Sequence, residues 1–158
     1  MFIHETAIIY PGVIIEPNVY IGPYCIIGAP AEWKGREDCE GLVLIMSGAR
    51  LTGLVTVDSG TDKRTVIGKD CYLQKHSHIG HDAILAEGVT ISCGAKIGGH
   101  SIIEKFCNIG LNAVIHQKVR VPEGCMIGAS AFVGKKSILK PYYKYAGVPV
   151  KELGINAR

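Results

Sequence analysis

Four histidines, His78, His81, His100 and His116, fall within one stretch of a 158-residue chain that holds six in all. Imidazole is the side chain best suited to take up and return a proton near neutral pH. Asp82 follows His81 directly; it reads equally as a support that fixes an imidazole tautomer and as an ordinary bend residue. Gly98 and Gly99 precede His100. Glycine lets a ligand approach the backbone closely, and the Gly99 N–H could hold a developing oxyanion; Gly99 reads at least as well as a plain bend glycine. Further along stand Lys118, Lys135, Lys136 and Lys140, point charges that suit phosphates or form a solvated rim. One histidine on a solvated bend is usually polar surface, so a site requires a fold that unites these residues.

The elements that position them are written in a period of six. From Ile67 to Leu139 an aliphatic residue stands at every sixth position, and a compact residue stands two before each from Leu73 onward (Cys71, Ser77, Ala83, Val89 and so on). Residues two apart on a strand share a face, so both point inward. The three positions between are rich in bend formers. A period of six is neither helical nor a long amphipathic strand; it is the signature of a hexapeptide parallel β-helix. Glycines directly after the aliphatic (Gly68, Gly80, Gly98, Gly110, Gly128, Gly134) are expected at bends with positive φ.

With three hexads per turn, residues eighteen apart stack. His81, Gly99, Gln117 and Lys135 then form one column, and Asp82, His100, Lys118 and Lys136 the next. His116 lies in the adjoining column, and His78 leads into the same corner. The pattern starts at Ile3 and breaks near 28–42, where Trp33 and Cys39 match the six-fold count by coincidence. A second excursion spans 58–65. Insertions in such coils often line a binding site. The expected organisation is a β-helix over 1–140 with these two insertions and a cap over 141–158.

Lys+Arg 17 against Asp+Glu 14, a net charge of +3, and few aromatics give no nucleic-acid signature. Cys25, Cys71, Cys107 and Cys125 occupy compact inward positions and read as core filler; no CxxC spacing points to a metal. No stretch has membrane-span length, and the opening residues lack a signal-peptide pattern. The expected location is the cytoplasm.

The stretches IHETAIIYPGVIIEPNVYIGPYCIIG and HSHIGHDAIL…IGGHSIIEKFCNIGLNAVIHQ resemble the hexapeptide acyltransferases, especially the UDP-N-acetylglucosamine O-acyltransferases of lipid A synthesis. The resemblance implies a left-handed coil and a homotrimer with sites between subunits. It implies His81 as general base, Asp82 as its partner and Gly99 as the oxyanion donor. It further implies that His78, His100 and His116 line the substrate cleft; the stacking adds Gln117 to that cleft and sets Lys118, Lys135, Lys136 and Lys140 toward the acyl donor. The reaction it implies is acyl transfer to a hydroxyl or amine of a nucleotide-linked sugar. The donor is acyl-CoA, acetyl-CoA foremost, or acyl carrier protein, with no permanent cofactor, no metal and no covalent acyl-enzyme. Ala129, about where long-chain members have glycine, argues for a short acyl group. Two rivals remain. One is a zinc-dependent γ-carbonic-anhydrase-like enzyme, for which His76 and His81 have suitable spacing but no third histidine lies between His4 and His76. The other is a non-catalytic structural protein.

Overall fold

The computed structural model describes residues 1–35 and 41–157; Cys39 and the rest of 36–40 lie outside these, as does Arg158. The chain is an all-β, left-handed parallel β-helix, wound in about eight turns. Its three faces are sheets of nine, seven and six strands, in which every strand but the last pairs in parallel with those one turn away. The step is the expected one: Tyr72 pairs with Thr90 and Thr90 with Asn108, while Ile79 pairs with Ile97 and Ile97 with Ile115. Most strands are only two or three residues long because a bend follows every aliphatic.

The core is a single bore. Leu73, Ile79, Leu85, Ile91 and Ile97 are fully buried, and so are Ala83, Val89 and Ala95 of the compact set. Each fully buried aliphatic side chain contributes roughly 1.5–3 kcal/mol. Two longer steps interrupt the regular one: Ile15 pairs with Ile45, and Ile45 with Ile67. Both insertions leave at the same corner, between Ile26–Ala29 and Val43–Ile45, and between Thr56–Asp58 and Thr65–Ile67. One turn further, that corner holds His81 and Asp82.

The bends correct one expectation. None of the six glycines after the aliphatic has positive φ. Positive φ falls two residues later, at Asp70, His76, Asp82, Gly88, Gly94, His100, Phe106 and Lys118 among others. Bonds such as Ala83 N–H to Gly80 O and Ser101 N–H to Gly98 O close four-residue turns with positive φ at the third residue, the type II pattern. The glycine at the first turn position answers a different need, close stacking. A Cβ on Gly80 would lie 2.8 Å from Gly99 N, and one on Gly98 would lie 2.4 Å from Gln117 N.

The cap begins as a continuation of the coil. Tyr143–Ala146 pairs in parallel with Met126–Ile127, which puts Tyr145 against the bore opposite Ile127. Lys151–Ile155 then folds back antiparallel as the outermost strand.

Candidate active site

The corner turn Gly80–Ala83 presents His81 outward and turns Asp82 under it. The His81 Nδ1–H donates to Asp82 Oδ2 at 2.8 Å, which leaves Nε2 with the lone pair. Asp82 is 3 % exposed. The second insertion wraps its carboxylate: the N–H groups of Thr61, Asp62 and Lys63 donate to it at 2.6–3.1 Å, and the Thr61 hydroxyl at 2.8 Å. Its own N–H donates to Thr65 Oγ1 at 2.8 Å. Burial acts to raise the Asp82 pKa, but the hydrogen bonds from His81, Thr61 and Lys63 outweigh it and hold the group well below the usual carboxylate range. Asp82 is therefore a fixed negative charge that orients His81.

Gly99 lies one turn along, beneath the imidazole. A Cβ there would sit 2.7 Å from His81 Nε2, so any other residue would displace the ring. The Gly99 carbonyl accepts from Lys118 N–H in the next turn, while its own N–H has no backbone acceptor among the described residues. That free N–H is shared by other second turn positions, Lys75 and Glu87 among them; of these three, Gly99 alone has no side chain of its own and faces His81.

His100 stands edge-on to His81, with ring centroids 4.9 Å apart and planes at 87°. Its Nε2 lies 3.7 Å from the same Asp82 oxygen. Glu32, Trp33, His81, His100, Gln117 and Lys118 line a cleft of about 360 Å³. On one side a smaller pocket of about 280 Å³ is lined by Glu32, Thr56, Asp58 and His78, with Ile26, Ala29 and Pro30. There His78 Nδ1 meets Thr56 Oγ1 at 2.8 Å, and Nε2 lies 3.7 Å from Asp58. Burial, then Lys96, lowers the His78 pKa. Burial, then the Glu32 charge, pushes Asp58 up to about 7. On the other side His116, Phe132, Lys135, Lys136, Ile138 and Val150 help to line a largely apolar groove of about 610 Å³.

The structure thus brings His81, Asp82 and Gly99 together, and places His100, Gln117 and Lys118 in their cleft. His78, His116, Lys135 and Lys136 fall in the two flanking cavities. Lys140 lines none of the three: its ammonium pairs with Glu152 at 2.9 Å and lies over the Tyr143 ring. Sequence reasoning missed Glu32, Asp58 and the Thr61–Lys63 cradle, and gave Trp33 no role, although its indole stacks on His81. The one signal for them was that both insertions interrupt the same corner of the repeat. His81, Asp82 and His100 also offer ligand atoms within 4.8 Å of one another. The Asp82 oxygens, however, already accept several N–H and O–H donors, which a cation would have to displace.

The family model for bacterial transferase hexapeptide (six repeats) matches residues 1–32 and 64–99. In its repeat and its fold the chain is similar to the bacterial transferase hexapeptide family. It is 33% identical over 102 residues to the acyl-[acyl-carrier-protein]–UDP-N-acetylglucosamine O-acyltransferases of Brucella ovis and Brucella canis. The match takes in 60% of this chain and 34% of each relative, so it spans about a third of their length. Among solved structures, UDP-N-acetylglucosamine O-acyltransferase (LpxA) of Moraxella catarrhalis superposes with a TM-score of 0.80 at 23% identity, over 99% of this chain and 75% of that one. LpxA of Acinetobacter baumannii gives 0.81 at 25% identity, with the same coverage. The acetyltransferase domain of PglB from Neisseria gonorrhoeae gives 0.52 at 23% identity, over 89% and 57%.

Proposed function

We propose that the chain transfers an acyl group from a carrier-bound thioester to a hydroxyl or amine of a nucleotide-linked sugar. The observation that carries this reading is the placement of His81 Nε2 over the bare backbone of Gly99, with Nδ1 fixed by a charged Asp82. His81 takes the acceptor's proton from the attacking O–H or N–H. The acceptor forms a bond to the thioester carbonyl carbon, and the Gly99 N–H steadies the oxyanion. As the intermediate collapses, the C–S bond breaks and the thiolate leaves with the proton from Nε2. No cysteine takes part; burial raises the pKa of Cys25, Cys71, Cys107 and Cys125.

The acceptor enters from the side of Glu32, His78 and Asp58, and the acyl group from the apolar groove beside His116 and Phe132. Lys118, Lys135 and Lys136 stand along this path and suit the donor's phosphates; Lys140 keeps that role only by leaving Glu152. The names of the Brucella relatives favour acyl carrier protein over acetyl-CoA as carrier. A homotrimer, with sites between subunits, is the assembly the class suggests. The test is to incubate the protein with UDP-N-acetylglucosamine and acyl thioesters of both carriers, from acetyl to long chain, and to weigh the products. An acylated nucleotide sugar is expected with at least one donor. Absence of product across the whole donor series, with this acceptor and its amino-sugar analogues, would contradict the proposal.

A further inference from the structure

The first insertion brings an aromatic face onto the residue read above as the base. Ala31 is buried and anchors the strap, and Trp33 N–H donates back to Ala31 O at 2.7 Å, a tight turn that aims the indole at the corner. The Trp33 and His81 ring centroids are 5.7 Å apart, with planes inclined by only 26°. The imidazole is therefore held on three sides: Asp82 at Nδ1, the edge of His100, and the indole against its face. An indole face carries negative electrostatic potential and attracts a cation within about 6 Å. A general base becomes a cation at the moment it acts.

We propose that Trp33 is a positioning residue for His81: its indole face fixes the plane of the imidazole and stabilises the imidazolium formed when the acceptor's proton reaches Nε2. The proposal rests on the reading of His81 as the base. Other ionisable groups also face this ring. Asp82 and His100 touch it, Glu32 and Lys118 line the same cleft, and Asp58 and His78 occupy the pocket next to it. What separates Trp33 from these is that it contributes through its face and without a charge.

Trp33 is the one tryptophan in the chain, so emission excited selectively in tryptophan reports the surroundings of this indole, and His81→Gln isolates the part due to His81. A protonated imidazole stacked on indole quenches that emission, and a neutral one does so far less. Titrated from about pH 8 to about pH 5, the range in which imidazole changes charge, the wild-type protein should lose emission, and His81→Gln should not. Trp33→Leu shields the ring from water without offering an electron-rich face. In that variant the His81 imidazolium, followed by NMR, should give up its proton more readily than in the wild type. Emission indifferent to His81→Gln, or a His81 midpoint that stays put in Trp33→Leu, overturns the proposal. Neither experiment uses an acyl donor, so failure to find acyl transfer would sink the function and leave this contact to be judged separately.

Discussion

Two buried carboxylates a short distance apart behave in opposite ways, and their hydrogen bonds explain why. Asp82 accepts from three successive backbone N–H groups, a hydroxyl and an imidazole, and stays charged. Asp58 has only the Glu32 N–H among the described residues, with His78 at 3.7 Å, so burial, and then the Glu32 carboxylate that faces it, push it up to about 7. A carboxyl that holds its proton more tightly when folded lends stability that is full below its unfolded pKa, near 4. That stability is lost as pH rises toward about 7. Asp58→Asn has no proton to lose, and its amide oxygen can still accept the Glu32 N–H. The wild-type urea midpoint should therefore fall between about pH 5 and pH 8, while the variant's falls much less. At the upper end the variant should be the more stable, by an amount on the order of 1–3 kcal/mol. Parallel declines in the two proteins would show that Asp58 is not the group responsible.

At the scale of the coil, compact inward positions differ in what their polar atoms find. The Ser101 hydroxyl donates to His116 O at 3.0 Å and accepts from Val119 N, linking two turns beside the site. The Ser77 hydroxyl is buried with no partner among the described residues. Alanine fills the same position at Ala83, Ala95, Ala113 and Ala131. Ser101→Ala should lower stability by about 1 kcal/mol, and Ser77→Ala should be neutral or stabilising, as read from urea midpoints. Equal losses would mean that Ser77 has a partner such as a bound water. The register that stacks His81 on Gly99 was legible because a hexad repeat admits one inward pattern, and three hexads per turn then place each column. Positive φ was misplaced because glycine after the aliphatic answers backbone crowding, as at Gly98, whereas Asp82 and His100 themselves take the left-handed bend. The strap bearing Trp33 and the Thr61–Lys63 cradle were illegible for another reason: an insertion outside the repeat carries no periodicity to say where it folds back.

Across the whole molecule, the corner that carries both insertions also carries three adjoining cavities in a row. The row runs from the pocket of Asp58 and His78, through the cleft of His81, to the apolar groove beside His116. A parallel coil stacks the members of each column ~4.8 Å apart, one per turn, so His81, Gly99 and Gln117, distant in the chain, form a ridge on which the two insertions fold. Asp82, His100 and Trp33 give His81 the fixed orientation that proton transfer requires. The central claim is that this ridge works through one imidazole. Its most direct test is the turnover number for acyl transfer by His81→Ala beside the wild type, with thermal unfolding measured on both. Turnover should fall by roughly two or more orders of magnitude while unfolding is unchanged; a variant that keeps its turnover would contradict the account.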